Sequence, residues 1–244
     1  MSKLIRDLGT TNKCRFVVVI EGCDMLGKAT QSQLLAKRLS YRRGYSDVGL
    51  LEVPIRDKLS YPRIYEMLAD GRAKKYPSTF QALHILNRIL YQESSLKNEV
   101  DKYDALVFDR WNASSYAYGR AAGIEHDELM CELDLVATAD LMIILEGKPF
   151  HKDNLDTYEA DAPFQVAVRS AYYEWAKTQK RTGSVYVVDA NDTIDAVHQA
   201  IWSICSDYIE NNIGADDDED ANNVIDLHPY LDAKRYAETL KKET

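Results

Sequence analysis

The chain has 244 residues, a formal net charge of −9 and an apolar fraction of 45%. This length suits one α/β domain with a tail, and the apolar fraction is normal for a globular core. The acidic balance argues against a protein that coats nucleic acid. The four cysteines lack metal-type spacing, and no signal peptide or long apolar run is present. We therefore expect a cytoplasmic protein with reduced thiols that binds neither nucleic acid nor a membrane.

The chain begins with a polar stretch and then a phosphate-binding pattern. Residues 1–14 predict a flexible arm. The β-branched run that follows, residues 16–21, predicts a buried central strand. Gly22 then opens the spacing G-x-x-x-x-G-K, which Gly27 and Lys28 close before a helical pattern. Strand, glycine-rich loop and helix in this order are typical of a loop whose backbone N–H groups, helix N-terminus and lysine bind phosphates.

Short apolar runs and longer helical patterns alternate through the rest of the chain. Strands are predicted at 16–21, 48–53, 105–108, 141–145 and 185–188, and helices at 29–43, 62–68, 78–100, 113–121, 125–138, 162–180 and 193–211. Ser78 is the expected N-cap of the long helix. This alternation predicts an α/β fold with a five-stranded parallel sheet and helices on both faces. The site of such a sheet lies beyond the carboxyl ends of its strands.

Asp109 and Arg110 end the third predicted strand. A charged pair at the tip of a buried strand is costly unless it faces a cleft. Asp109 has the chemistry to organise Mg²⁺, and Arg110 can bind a phosphate through two parallel hydrogen bonds. A structural ion pair at the strand end is the alternative interpretation.

Residues 212–244 differ in composition from the rest of the chain. They contain an acidic run at residues 216–220, which predicts a solvated tail. A short amphipathic helix near its end is the one element we expect there.

Five stretches occur in the order found in one known family. They are EGCDMLGKATQ, VPIR, HILNR, DRWNASSYAYG, and TYEADAPFQVAVRSAY followed by VVDA, and they span about residues 15–210. Together they resemble the thymidylate kinases, which are P-loop nucleoside monophosphate kinases. The first stretch is shared by P-loop proteins in general, whereas the fourth and fifth are much more specific.

The resemblance implies a fold, a reaction and an assembly. The fold is the three-layer type of P-loop NTPases, in a domain over residues 15–211 with a lid at about 146–160. The reaction is ATP- and Mg²⁺-dependent phosphorylation of dTMP, or of a 5-substituted dUMP, to the diphosphate. The assembly, by analogy with relatives, is a homodimer.

The resemblance also implies roles for individual residues. ATP is expected to bind through Gly22, Cys23, Met25, Leu26, Gly27, Lys28, Ala29, Thr30 and Ala190. The acceptor nucleotide is expected to bind through Asp24, Arg56, His84, Arg88, Arg110, Ser114, Tyr118, Gly119, Tyr158 and Glu159. The residues expected to act in catalysis, with Asp109 also at the metal, are Lys28, Asp109, Arg110, Lys148 and Lys152.

Three positions depart from the family's pattern around the transferred phosphate. Ala29 replaces the Ser or Thr whose hydroxyl binds Mg²⁺, and the side chain of Thr30 points about 100° away on a helix. Met25 in the loop and Thr157 in the lid stand where the family carries a catalytic arginine. We expect one of two lid lysines to supply the missing charge, namely Lys148 or Lys152.

Two further departures concern the acceptor. His84 stands where the family usually has a Phe that stacks on thymine, and Gly119 where relatives often have a polar residue. They leave open a broader range of deoxynucleoside monophosphates. The absent arginine and Ala29 leave open a nucleotide-binding protein with weak or lost catalysis. Without the resemblance, Arg56 reads as a surface arginine and Tyr118 as ordinary helix packing.

Overall fold

The computed structural model describes residues 4–11, 13–149, 161–178 and 184–213. The strands are β1 (Phe16–Gly22), β2 (Val48–Glu52), β3 (Ala105–Asp109), β4 (Leu141–Glu146) and β5 (Ser184–Asp189). They form one parallel sheet in the order β2-β3-β1-β4-β5. Every residue of β1 is buried, as expected for a central strand covered on both faces. The predicted five-stranded parallel sheet is confirmed.

Helices cover both faces of the sheet. They are α1 (Lys28–Leu39), α2 (Tyr61–Ala69), α3 (Arg72–Lys75), α4 (Pro77–Tyr91), α5 (Lys97–Lys102), α6 (Asn112–Ala121), α7 (His126–Leu133), α8 (Ala162–Thr178) and α9 (Ile194–Asn212). Alternate residues of β1 face opposite sides, because side chains alternate along a strand. Val17 and Val19 join a core with α4, α6 and α8, whereas Val18 and Ile20 join one with α1 and α9.

Three predicted helices have different bounds in the structure. The long one begins at Pro77, so Ser78 lies inside the first turn and is not the N-cap. Proline needs no N–H partner in that turn, which explains the earlier start. A π-helical stretch at Gln92–Leu96 then separates α4 from α5. The other two end early: α1 stops at Leu39, and the segment predicted at 125–138 is helical only over α7.

The described part of the N-terminal segment, residues 4–11, packs on the domain, which corrects the expectation of a loose arm for these residues. Ile5 is fully buried, and its N–H donates to the carbonyl oxygen of Thr138 over 2.8 Å. Arg6 Nε donates to Asp140 Oδ1 over 2.7 Å, and the other oxygen of Asp140 accepts from the N–H of Val17. The segment is therefore tied to the central strand. The acidic run of the predicted tail lies outside the described residues.

Candidate active site

The loop between β1 and α1 has the curled backbone that a phosphate-binding loop requires. Gly22 has a φ of +136°, and a Cβ there would lie 2.5 Å from the carbonyl oxygen of Leu145 on β4. Gly27 is left-handed and precedes the first residue of α1, Lys28. Met25 also has a positive φ, of +61°, which is uncommon for a residue with a side chain. The loop therefore depends on glycine where β4 passes closest to it.

Lys28 is buried at the start of α1. Its Nζ donates to the carbonyl oxygen of Cys23 over 2.5 Å, across the loop. Burial, together with the charge of Arg110, lowers the pKa of Lys28 to about 8. A bound polyphosphate reverses this shift, because it supplies negative charge next to the ammonium group. The ammonium group of Lys28 therefore lies against the loop between β1 and α1.

The other residues predicted to bind ATP lie around this loop. Ala29 and Thr30 are exposed on the first turn of α1, whereas the side chain of Leu26 is buried in the core. Ala190, just after β5, is buried, and its N–H donates to the carbonyl oxygen of Glu146 over 2.6 Å. Cys23 contacts α8 through a long Sγ contact with the carbonyl oxygen of Gln165. These contacts bring the ends of β1, β4 and β5 together on one edge of the sheet.

Asp109 ends β3 beside this loop. It pairs in register with Ile20 of β1, two residues before the loop-facing end of that strand. The side chain is buried, and its Oδ1 has no hydrogen-bond partner among the residues described. Burial raises the pKa of Asp109, and the charges of Arg110 and Lys28 oppose that rise. An unpaired buried carboxylate oxygen needs a partner, and a cation or a metal-bound water can supply one.

Arg110 connects the phosphate loop to the neighbouring cavity. Its backbone is left-handed, with a φ of +70°, and its N–H donates to the carbonyl oxygen of Ile20. One guanidinium nitrogen, Nη1, donates to the carbonyl oxygen of Gly22 over 3.1 Å and to Ser114 Oγ over 3.2 Å. The other, Nη2, forms an ion pair with Asp24. Burial opposes the charged form, but Asp24 and other neighbours outweigh it and raise the pKa of Arg110.

A cavity of about 250 Å³ opens beside Arg110. It is lined by Asp24, Glu52, Val53, Pro54, Tyr65, Leu68, Phe80, Gln81, His84, Arg88, Arg110, Ser114, Ser115 and Tyr118. The sequence predicted six of these residues to bind the acceptor: Asp24, His84, Arg88, Arg110, Ser114 and Tyr118. Residues from the phosphate loop, β2, α2, α4 and α6 thus meet at one cavity.

One wall of the cavity comes from α4, which presents His84 and Arg88 one turn apart. The guanidinium of Arg88 is held by the carbonyl oxygens of His84 and Trp111, each 2.7 Å away, while its Nε has no partner within the described ranges. Burial lowers the pKa of Arg88 to about 10 and that of His84 to about 3. At neutral pH the arginine is therefore charged and the histidine neutral. The ring of Phe80 meets His84 edge-on, with centroids 4.8 Å apart.

A second, polar part of the cavity lining comes from the loop and α6. Tyr118 donates its hydroxyl to Asp24, and the Arg110 guanidinium lies 5.6 Å from the Tyr118 ring centroid. Ser114 Oγ donates to Glu21 Oε2 over 2.6 Å. Ser114 and Tyr118 lie four residues apart on α6 and face the same side, as their spacing predicts.

Some predicted site residues do not line this cavity. Gly119 is buried against α7: a Cβ there would lie 2.8 Å from Leu129 Cδ2, so Gly119 serves helix packing. Arg56 is exposed and does not line the cavity. Lys148 is exposed after β4, and its backbone N–H donates to Asn191 Oδ1. The remaining predicted residues of the lid lie outside the described part of the chain: Lys152, Thr157, Tyr158 and Glu159.

Sequence reasoning missed several residues of the site. Gln81 and Ser115 line the cavity, and Ser115 Oγ is buried without a partner among the described residues. Arg169 of α8 lies near the loop beside Cys23, where its Nε donates to Glu146 Oε1 over 2.7 Å. Glu21 is fully buried at the end of β1. Only Glu21 had a usable signal, because it is a charge at the tip of a buried strand, as is Asp109.

A phosphate loop at the end of the central parallel strand, beside a cavity lined by the buried Arg88 and the partly buried Arg110, is the arrangement of a P-loop phosphotransferase. A sequence profile described as thymidylate kinase matches residues 20–201. The chain therefore belongs to the thymidylate kinase family, a family of nucleoside monophosphate kinases that use ATP as the phosphate donor. The predicted family is confirmed. The P-loop NTPase fold and the phosphotransferase activity toward thymidylate, which were predicted with it, are confirmed as well.

Individual relatives agree with this assignment. The chain is 25% identical over 206 residues to a probable thymidylate kinase of Sulfolobus acidocaldarius, covering 80% of this chain and 98% of that one. It is 24% identical to a thymidylate kinase of Caldanaerobacter subterraneus subsp. tengcongensis, covering 79% and 96%. In structure it resembles the thymidylate kinase of Ehrlichia chaffeensis, with a TM-score of 0.63, 23% identity, and coverage of 78% and 98%. Within the described ranges, no helix is long and apolar enough to cross a membrane.

Proposed function

We propose that the described cavity binds dTMP, or a 5-substituted dUMP, and that the loop from Gly22 to Lys28 binds ATP. One observation carries this assignment: Arg110 contacts the Gly22 carbonyl on the loop and also lines the cavity. Two phosphate groups bound on either side of Arg110 are therefore close enough for direct transfer. An oxygen of the acceptor phosphate attacks the γ-phosphorus in line, and ADP leaves.

The protein's part in this reaction is positioning and charge neutralisation. Lys28 supplies positive charge at the β- and γ-phosphates from the start of α1. Arg110 holds the acceptor phosphate, and Arg56, which is exposed on the loop after β2, is the second arginine assigned to it by this proposal. Since no covalent intermediate is needed, holding both nucleotides in reacting geometry provides most of the rate.

Asp109 fits the role of the protein ligand for Mg²⁺. Its buried Oδ1 lacks a partner in the described structure, and Mg²⁺ is usually bound through one or two carboxylates plus substrate phosphates and water. No group of three or more metal-binding side chains occurs in the described ranges, which suits a metal held largely by the nucleotide. When bound, Mg²⁺ supplies charge neutralisation at the phosphates. Ala29 offers no hydroxyl for this purpose.

The walls of the cavity suit a pyrimidine deoxynucleotide. Arg88 is a fixed donor for a carbonyl oxygen of the base, and neutral His84 offers a flat face next to Phe80. Asp24 and Tyr118, hydrogen-bonded to each other, suit the sugar hydroxyl and the exclusion of a ribose. Ser114 borders this sugar subsite through its bond to Arg110. Tyr158 and Glu159 remain a proposed closing element over the nucleoside.

We also propose that Lys148 or Lys152 replaces the family's catalytic arginine. The double Lys148→Ala, Lys152→Ala variant is then expected to lose kcat while the acceptor KM changes little, because the charge acts on the transferred group. An unchanged kcat excludes both lysines. A chain that has lost catalysis is the competing proposal, supported by Ala29 and Met25.

A homodimer in the cytoplasm completes the proposal. None of the four cysteines forms a disulfide, which fits a reducing compartment. The dimer rests on analogy with relatives. Light scattering of the purified chain distinguishes a dimer from a monomer.

Measuring ADP release with ATP and each nucleoside monophosphate in turn tests the function. Turnover with dTMP well above that with dCMP, dAMP, dGMP and UMP is the expected result. Equal turnover across acceptors supports the broader-range kinase instead. If ATP binds but no acceptor gives release, the non-catalytic alternative is correct.

A further inference from the structure

Glu21 is a fully buried carboxylate that the mechanism above does not use. It is the sixth residue of β1, directly before the phosphate loop. Four donors converge on its two oxygens. Oε1 accepts from the N–H groups of Trp111 and Ser114 over 2.7 and 3.2 Å, and Oε2 accepts from the hydroxyls of Ser114 and Tyr172 over 2.6 and 3.1 Å.

The two N–H groups on Oε1 belong to the N-terminus of α6. Trp111 is the N-cap residue of this helix, and its side chain forms no capping hydrogen bond. Ser114 is the third residue of the helix, so the two N–H groups are the pair that a capping box satisfies from within a helix. Here Glu21 supplies the acceptor from another strand. A negative charge at this end also interacts favourably with the helix dipole.

The turn that Glu21 caps carries Arg110. Arg110 has a left-handed backbone and directly precedes Trp111. The hydrogen bond from the Trp111 N–H to Glu21 therefore holds the residue that follows Arg110 in the turn. The same Ser114 hydroxyl that donates to Glu21 accepts from Arg110 Nη1. Glu21 is thus linked to Arg110 through both the backbone and a side chain.

Glu21 also acts electrostatically on the cations of the site. Its charge favours the protonated forms of Lys28, Arg88 and Arg110, which are all buried enough to need compensation. Asp24 compensates Lys28 and Arg110, but it faces the cavity, whereas Glu21 is closed off beneath it.

We propose that Glu21 is a positioning residue for the acceptor phosphate: by capping α6 from β1, it sets the guanidinium of Arg110 at the junction of loop and cavity. The proposal rests on the function proposed above for Arg110. The proposal also explains why a carboxylate stands near the end of β1, since the phosphate loop itself does not require one there.

Glu21→Gln is the informative variant. A glutamine keeps the shape, and its one oxygen can still accept from both N–H groups, while its NH₂ group faces hydroxyls that can rotate to accept. The variant therefore keeps the two backbone contacts but removes the charge, and it makes the Ser114 hydroxyl an acceptor where it donated to Glu21, which disturbs the contact of Ser114 with Arg110. We expect the KM for dTMP to rise at least about tenfold, while the KM for ATP changes by less than about twofold.

Asp140→Asn is the matched control. Asp140 is an equally buried carboxylate at the opposite end of the sheet, where it accepts from Arg6 and from the N–H of Val17. This variant is expected to lower thermal stability and to leave both KM values unchanged. A purely structural role of Glu21 predicts the same pattern for Glu21→Gln, and that pattern overturns the proposal.

A double-mutant cycle with Arg110→Ala separates the two proposals. If Glu21 acts through Arg110, adding Glu21→Gln to Arg110→Ala changes the dTMP KM little, because coupled residues are not additive. Fully additive effects overturn the positioning role. If Arg110→Ala alone leaves the dTMP KM unchanged, the proposed function of Arg110 fails, and the role of Glu21 fails with it. Should Glu21→Gln not fold, Tyr172→Phe removes one donor from Glu21 and is expected to give a smaller rise that also vanishes without Arg110.

Discussion

Gly22→Ala tests the close approach of the phosphate loop to β4. The added Cβ would lie 2.5 Å from the backbone oxygen of Leu145, whereas ordinary contacts begin at 3.4 Å. The loop or β4 must therefore shift by about 0.9 Å. A misplacement of reacting groups by about 1 Å can cost about 100-fold in rate. We expect kcat/KM for ATP to fall by about that factor in an ADP-release assay.

Gly71→Ala is the matched control for this change. Gly71 also has a positive φ, of +76°, but a Cβ there meets nothing within 4 Å. Gly71→Ala therefore loses stability only through its left-handed backbone, by about 1–2 kcal/mol. For a domain of this size, each kcal/mol lowers Tm by about 2–4 °C. Kinetics at a temperature where both variants are folded should be normal for Gly71→Ala. An ATP kcat/KM for Gly22→Ala within about twofold of the parent would refute the reasoning.

Three further predictions follow from individual contacts. Because the pKa of Lys28 is lowered to about 8 and bound phosphate raises it, ATP binding should take up a proton near pH 8.5. Calorimetry in buffers of different ionisation enthalpy detects this uptake, and Lys28→Met should abolish it. His84, with a pKa of about 3, should show no NMR titration between pH 5 and 8. The unfolded state binds a proton on His84 more tightly than the folded state does. The stability that neutral His84 contributes should therefore be lost as the pH falls below about 6.5. Asn87→Ala removes the hydrogen bonds to the N–H and the carbonyl oxygen of Ile55, next to Arg56. It should raise the dTMP KM and lower the free energy of unfolding in denaturant by about 1–3 kcal/mol. An unchanged dTMP KM would contradict this prediction.

Much of the fold could be predicted because its signals are local. A β-branched run, two glycines at required positive φ values and a lysine at the start of a helix identify the phosphate loop within a few residues of sequence. Likewise, a charged pair at the tip of a buried strand places Asp109 and Arg110 at the edge where the site lies. Periodicity recovered all five strands, since each is short, apolar and followed by polar residues.

For two of the failed predictions, the missing information came from distant parts of the chain. The family resemblance placed Gly119 at the acceptor, but α7 packs against it. The N-terminal segment looked like a loose arm, but Asp140 and Thr138, far along the chain, hold it.

By itself, the sequence determined the elements, their order and the chemistry available at the strand ends, because these depend on residue type and short-range spacing. The tertiary structure alone decided which donors meet which buried acceptors. Glu21 finds its partners at positions 90 to 151 residues away, on a helix N-terminus and on α8. No local pattern encodes that meeting, because it exists only after the sheet has brought β1, β3 and the covering helices together.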